Sequence, residues 1–154
     1  RGRFPEDDSV HLRQFPDIPA DWRNAALEER WNRIRTLRLV VTGALEVERR
    51  EKRIGASLQG HPAVYAPAAY LAALDDLDAA EICITSDISL HEGAAPAGAF
   101  TMEDVADIGV VVTVAAGGKC ARCWQVLAEV VADENGEDGV CQRCAKAAAV
   151  YAPA

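Results

Sequence analysis

Hydrophobic residues in the first third of the chain recur at steps of three and four residues, which places them along one side of a helix. The members of this stripe are Leu27, Trp31, Ile34, Val41 and Leu45. Asp21 is a helix-capping residue type, and Gly55, a residue type that ends helices, follows the last basic residues. The pattern predicts one long amphipathic helix over roughly 22–53.

Acidic residues precede basic ones by four positions at three places along this predicted helix. Opposite charges at that spacing lie one turn apart and favour a solvated helical face. The predicted pairs are Glu29 with Arg33, Glu46 with Arg50, and Glu48 with Lys52.

The hydrophobic pattern changes after the helix to short, mixed segments. Residues 63–66 and 108–115 are apolar and favour strands, and 68–77 favours a short helix. Residues 81–90 alternate between apolar and polar positions, which predicts a half-buried strand with Cys83 buried in it. The alanine-rich end, 145–154, is expected to fray. The fold class is therefore α+β: a long helix, a small sheet with a helix against it, and a cysteine-rich end.

Charge is distributed unevenly along the 154 residues. The net charge is −8, but residues 61–118 contain nine acidic residues and neither Lys nor Arg, so the cations lie toward the two ends. A polyanionic partner would therefore meet the ends rather than the middle. No apolar run approaches membrane-spanning length and no export signal is visible. No catalytic Ser/His/Asp arrangement emerges from the sequence.

Four of the five cysteines form two CxxC pairs separated by seventeen residues. Two residues between thiolates allow a tight turn to direct both sulfurs at one point, and a second turn completes a tetrahedral site. The ligands would be Cys120, Cys123, Cys141 and Cys144. Zn²⁺, held structurally, is the expected ion, with a rubredoxin-like iron site, reactive dithiols or disulfides as alternatives. We also expect reduced thiols in a cytoplasmic setting, and a hairpin that joins the pairs through turns at 135–136 and 138–139.

Basic and aromatic residues adjoin these pairs. They are Lys119, Arg122, Trp124, Arg143 and Lys146. Cations for phosphates and an aromatic face for an unstacked base are the side chains that RNA-loop binding uses. The alternative is that Trp124 packs over the metal site while the cations are solvated.

Two stretches of the sequence resemble a known family. The end, KCARCW…CQRC, is similar to the zinc finger of bacterial isoleucyl-tRNA synthetases, and a related finger occurs in formamidopyrimidine-DNA glycosylases. The segment WNRIRTLRLVVTGALEVERREKRIGASLQG resembles the last helix of the synthetase anticodon-binding bundle. The order of the two stretches, helix first and finger second, favours the C-terminal region of the synthetases over the glycosylases.

The resemblance implies three parts: residues 1–58 end a helical anticodon-binding domain, 59–116 form a small α/β junction, and 117–154 form a zinc finger and tail. It implies binding to the anticodon stem-loop of tRNA(Ile), in support of ATP-dependent charging with isoleucine. Catalytic and nucleotide-binding motifs are absent here, so no catalytic residue is assigned.

The RNA-binding candidates on the helix are Arg38, Arg49, Arg50 and Arg53. The remaining synthetase domains are the other expected partner, and without the bundle helices the stripe of Trp31, Ile34 and Leu45 is expected to be partly exposed. The alternatives left open are a zinc module that binds DNA and a metal-stabilised interaction scaffold.

Overall fold

The computed structural model describes residues 9–131 and 139–150. Its longest element, helix α1, runs over Ala25–Arg50, which confirms the predicted long helix. Asn24, rather than Asp21, caps it, since its side-chain oxygen accepts a hydrogen bond from the amide of Leu27 at 3.0 Å. The helix ends before Gly55 because Lys52 adopts a left-handed backbone conformation, with φ of 59°.

The predicted ion pairs along α1 are only partly correct. Arg33 lies 2.5 Å from Glu29 as expected. Glu46, however, pairs with Arg49 at 2.8 Å, and the Glu48 carboxylate accepts a 2.8 Å hydrogen bond from Arg53. Predicted partners Arg50 and Lys52 are wrong: Arg49 is the i,i+3 neighbour of Glu46, and the chain leaves the helix before Lys52 can lie one turn above Glu48.

A four-stranded sheet follows, in the order β2-β1-β4-β3. Its strands are β1 (Gly60–Ala66), β2 (Ser89–Glu92), β3 (Phe100–Met102) and β4 (Val105–Val114). β1 is parallel to β2 and antiparallel to β4. The strands predicted at 63–66 and 108–115 are thus confirmed, apart from Ala115 at the end.

The strand predicted over 81–90 is wrong over most of its length. Two short helices lie between β1 and β2: α2 (Ala68–Ala72), which covers only half of the predicted 68–77, and α3 (Ala79–Cys83). Asp78 starts α3 by accepting a hydrogen bond from the Glu81 amide at 3.0 Å. Ile84 ends it in a left-handed conformation, so the local cap outweighs the alternating pattern. Cys83 is buried as expected, but at the end of a helix.

One hydrophobic core joins α1 to the sheet. Leu37, Val40 and Val41 of α1 and Val64 of β1 are all fully buried in it. Ile34 and Leu45 are 1% and 2% exposed, so the expectation that they are left partly exposed is wrong, because the chain's own sheet covers them. Trp31 alone stays partly open, at 37%. Within the described residues, no helix is long and apolar enough to cross a membrane.

The remaining described residues form the cysteine finger, residues 117–131 and 139–150. A two-stranded hairpin pairs β5 (Gly118–Lys119) with β6 (Val126–Leu127), and helix α4 runs over Gln142–Val150. This hairpin encloses the first CxxC pair. The segment in which a hairpin joining the two pairs was predicted, with turns at 135–136 and 138–139, lies mostly outside the described residues. Of the end expected to fray, residues 145–150 belong to α4, and residues 151–154 lie outside the described residues.

The cysteine finger is attached to the sheet through a buried hydroxyl. Ser86, in the loop before β2, is 8% exposed. Its oxygen accepts a 2.7 Å hydrogen bond from the Val126 amide and donates one of 2.7 Å to the Leu58 carbonyl. A single side chain therefore connects the finger hairpin to the segment that links α1 with β1.

Candidate metal centre

The first CxxC pair lies in a tight turn within the β5–β6 hairpin. The Cys120 amide donates to the Gln125 carbonyl at 2.8 Å, and the Trp124 amide donates to the Cys120 carbonyl at 2.9 Å. Trp124 reverses the chain with a left-handed φ of 67°. This turn brings the side chains of Cys120 and Cys123 to the same side of the backbone.

The second CxxC pair lies at the start of α4. Cys141 immediately precedes the helix and Cys144 is in its first turn, so their three-residue spacing puts both on one helical face. The Cys141 amide donates to the Cys120 sulfur at 3.3 Å. The Ala121 amide also donates to the Gly139 carbonyl at 2.9 Å, which holds the two turns together.

The four sulfurs of Cys120, Cys123, Cys141 and Cys144 lie within 4.8 Å of one another. Ligands about 2.3 Å from a tetrahedral Zn²⁺ are about 3.8 Å apart, and the sulfurs of Cys123 and Cys141 are separated by 3.8 Å. The donor set and spacing therefore fit a tetrahedral metal ion. Four protein ligands leave no open position for substrate, so such an ion would be structural.

The environments of the four thiols differ. Hydrogen bonds from the Cys123 and Cys141 backbones lower the pKa of Cys120 to about 6. Burial, with further contributions from the neighbouring thiols, raises the pKa of Cys144 to about 12. Three of the sulfur-bearing residues are buried, and only Cys123 is partly exposed. A cation at the centre would offset the cost of ionising the buried sulfurs.

Glycine is required where the finger backbone approaches itself closely. A Cβ on Gly118 would lie 2.3 Å from the Val130 carbonyl oxygen. Gly117 has a φ of +119°, and a Cβ there would lie 2.2 Å from the Leu127 oxygen. The sequence Gly-Gly before the first cysteine pair is therefore part of the structure that positions the thiols.

The predicted RNA-binding residues of the finger fall into two groups. Interaction with the Cys123 thiol raises the pKa of the Arg143 guanidinium, and Arg122 acts to lower the pKa of Cys144. These two arginines therefore interact electrostatically with the cysteine cluster. Trp124, by contrast, is 62% exposed, and the Lys119 ammonium lies 5.6 Å from its ring centroid, within the range of a cation–π interaction.

The arginines of α1 and the segment after it that were predicted to bind RNA also fall into two groups, those with a partner within the chain and one without an acidic partner. The Arg38 side chain donates to the Ile82 carbonyl at 2.8 Å, and so ties α1 to α3. Arg49 and Arg53 are in the ion pairs with Glu46 and Glu48 described above. Arg50 is exposed, and no acidic partner is found for it among the described residues.

Two features of the structure escaped the sequence analysis. Ser86 joins the finger to the sheet, but a lone serine in a loop carries no sequence signal of such a role. His61 lies between Ser89 and Asp87, with its Nε2 2.8 Å from the serine oxygen and its Nδ1 3.5 Å from the carboxylate. The longer contact exceeds a normal hydrogen bond, and Asp87 is 65% exposed. This trio fastens β1 to β2 and lacks the buried carboxylate that orients a catalytic histidine.

Comparison with known proteins shows many similar sequences. No family model matches the chain. The chain is 52% identical over 137 residues to an isoleucine–tRNA ligase of Agrobacterium fabrum, which covers 88% of this chain. Ligases of the same name from Brucella abortus and Bartonella henselae are 51% and 48% identical over 85% and 88% of the chain. The chain spans about 14% of the length of each of these relatives.

Proposed function

We propose that this chain, which belongs to the isoleucine–tRNA ligase family, binds the anticodon stem-loop of tRNA(Ile). The ligase of which it forms part would join isoleucine to that tRNA at the expense of ATP, in the cytoplasm. This chain would supply RNA contacts and no catalytic group, while the other domains of the ligase supply the chemistry. The division into residues 1–58, 59–116 and 117–154 belongs to the same proposal.

The observation that carries the proposal is the exposure of Trp124 beside the cysteine cluster. Trp124 is 62% exposed, although burial over the metal site would have been the alternative for an aromatic residue there. The backbone around it is held by hydrogen bonds to Cys120. An exposed indole on a hydrogen-bonded backbone suits stacking on a base that is splayed out of an RNA loop.

Cations without acidic partners would supply the phosphate contacts. Lys119, Lys146 and Arg50 are exposed, and none is ion-paired within the described part of the chain. We assign the direct phosphate contacts to these three residues. Arg122 and Arg143 would act on RNA through the cluster that they contact, and Arg49 and Arg53 only after exchange of their glutamate partners.

The ion in the cluster would be Zn²⁺. Four thiolates in a closed tetrahedral set are typical of structural zinc sites. The finger buries few apolar side chains apart from Val130 and the cysteines themselves. The metal would therefore replace a hydrophobic core and hold Trp124 in place.

Titration of the zinc-loaded chain with tRNA(Ile), tRNA(Met) and a DNA duplex, at two salt concentrations, tests the function. We expect preference for tRNA(Ile) and an affinity that falls as salt rises, because phosphate contacts release counterions. Preference for the duplex would favour a DNA-binding module instead. Absence of binding to all three would contradict an independent RNA-binding role and favour a scaffold.

Replacement of the exposed indole separates stacking from folding. Trp124→Ala should weaken tRNA(Ile) binding by about 1–3 kcal/mol, roughly 5- to 150-fold in Kd, the range for one base stacked on an aromatic ring. Its zinc content should not change. Trp22→Ala is the matched control, because Trp22 is 73% exposed but lies before α1. Equal losses in the two variants would contradict the assignment to Trp124.

A further inference from the structure

One sulfur of the cysteine cluster is accessible from solvent, and the other three are not. Cys123 is only partly buried, whereas the remaining cysteines of the cluster are at most 4% exposed. An oxidant reaches a thiol from solvent, so exposure decides which cysteine of a group reacts first. The four residues are therefore alike as metal ligands but differ in how readily they are oxidised.

A second thiol lies next to the accessible one and belongs to the other CxxC pair. The sulfurs of Cys123 and Cys141 are 3.8 Å apart. A disulfide requires about 2.05 Å, so the two sulfurs need to approach each other by about 1.8 Å. Cys123 lies in the turn of the β5–β6 hairpin and Cys141 directly precedes α4. A bond between them would join the same two turns that a shared metal ion would join.

We propose that Cys123 and Cys141 are a redox-sensitive pair, with hydrogen peroxide as the oxidant and a disulfide as the product. The Cys123 thiolate attacks one peroxide oxygen: an S–O bond forms, the O–O bond breaks, and hydroxide leaves and is protonated to water. The Cys141 thiolate then attacks the Cys123 sulfur: the S–S bond forms, the S–O bond breaks, and a second hydroxide leaves and is protonated to water. Two electrons pass from the two sulfurs to one molecule of peroxide.

Oxidation of this pair and binding of a metal exclude each other. The disulfide takes up two of the four sulfurs, and those of Cys120 and Cys144 cannot complete a tetrahedral set alone. The chain therefore loses its ion when the pair is oxidised. The disulfide keeps the two turns joined, and a thiol reductant reverses it by exchange. The pair is thus a reversible switch on the metal site, and this step rests on the zinc site proposed above.

Peroxide treatment of the zinc-loaded chain tests the pair. The remaining free thiols are alkylated under denaturing conditions, and the disulfide is mapped by mass spectrometry of the peptides. We expect a loss of about 2 Da, a bond between Cys123 and Cys141, and release of the zinc to a chromogenic chelator. Dithiothreitol and fresh Zn²⁺ should then restore the metal content.

Two variants test the order of the steps. Cys141→Ser removes the second thiol, so a sulfenic acid at Cys123 should persist and be trapped by dimedone. Cys83→Ala is the control, because Cys83 is a buried cysteine of the other core. It should form the same disulfide as the unmodified chain and release its zinc to the same extent.

Three results would overturn the proposal. A disulfide within either CxxC pair would show that spacing in the sequence, and not the contact between the turns, decides the pairing. First oxidation at Cys83 would show that exposure does not select the reactive thiol. Zinc that stays bound after the disulfide has formed, or that cannot be restored by reduction, would rule out a switch.

The zinc assignment and the redox pair can fail separately in this experiment. Metal content measured before peroxide is added tests the zinc assignment alone. The disulfide is mapped in the unmodified chain, whatever its metal content, so the pairing is tested even if the Cys141→Ser variant does not fold.

Discussion

At the scale of single residues, backbone hydrogen bonds position the four thiols of the cysteine cluster. The CxxC spacing alone predicted that Cys120, Cys123, Cys141 and Cys144 meet, and their sulfurs are indeed clustered. Spacing could not predict that Arg143 and Arg122 interact with the thiols, because that depends on how the two turns face each other. The sequence therefore does not distinguish a basic residue that binds RNA from one that interacts with the thiolates, when it lies beside a CxxC pair.

Removal of one buried thiol should release the metal without unfolding the helix and sheet. Cys120→Ser is expected to lose most of the bound zinc and to disorder the finger, because three thiolates cannot close the tetrahedron. Elemental analysis measures the metal, and circular dichroism should still report the signal of α1. Cys83→Ala is the control, since Cys83 is buried in the other core; full metal content in Cys120→Ser would contradict the assignment.

Metal binding should also depend on pH in a defined direction. At pH 7, Cys120, with its pKa lowered to about 6, is mostly ionised, whereas Cys144, with a pKa near 12, holds its proton. Zinc must displace the Cys144 proton at neutral pH and the Cys120 proton as well below pH 6. Affinity should therefore fall as pH falls, with more protons released per zinc below pH 6. Calorimetry in two buffers of different ionisation enthalpy counts these protons, and a pH-independent count would contradict the prediction.

At the scale of elements, periodicity was a good guide to the long helix and a poor one to the short segments. The apolar stripe of α1 continues through seven turns, so the helical periodicity is supported by many residues. Residues 81–90 alternate for only a few positions, and α3 begins there instead, where the Asp78 carboxylate accepts a hydrogen bond from the Glu81 amide. The Asp78-x-x-Glu81 spacing is a helix-start signal that the alternation obscured. The exact end of α1 depended on Lys52, which no pattern marks.

Two leucines on the same helix give a test of the core shared by α1 and the sheet. Leu37 is fully buried and Leu39 is 54% exposed. Leu37→Ala should lower the free energy of unfolding by about 2–5 kcal/mol, whereas Leu39→Ala should change it by less than about 0.5 kcal/mol. Urea denaturation followed by circular dichroism measures the difference. Similar losses for the two variants would mean that α1 does not pack on the sheet through this face.

At the scale of the whole molecule, the helix motif followed by the cysteine pairs was more informative than either part. That combination suggested the isoleucyl-tRNA synthetases, and the isoleucine–tRNA ligases of Agrobacterium and Brucella confirm the resemblance. The resemblance rested on the helix segment and the cysteine-rich end, whereas the sheet that covers α1 comes from the acidic middle between them. Because contacts between distant segments decide which face of a helix is covered, the burial of Ile34 and Leu45 could not be predicted from the helix alone.

The hydrogen bonds of Ser86 offer a test at this scale. Ser86→Ala leaves the Val126 amide without its partner in a largely buried position, at a cost of about 1–3 kcal/mol. We expect faster hydrogen exchange at Val126 and its neighbours, with unchanged zinc content. Ser57→Ala serves as the control, because Ser57 lies in the same linking segment. Unaltered exchange at Val126 would mean that the finger is held to the sheet by other contacts.

The position of Ser86 has a consequence for how the two ends of the chain could work together. If a flexible linker joined the finger to α1, each part would bind a ligand separately. Each binding step would then cost the rotational entropy of the part that becomes ordered. A buried joint fixes their relative orientation before any ligand arrives, so that contact at one end raises the effective concentration at the other. Part of the entropy that binding through both the finger and α1 would otherwise cost is thus already lost on folding. The Ser86 hydroxyl, which links three segments of the chain, contributes to this fixed orientation.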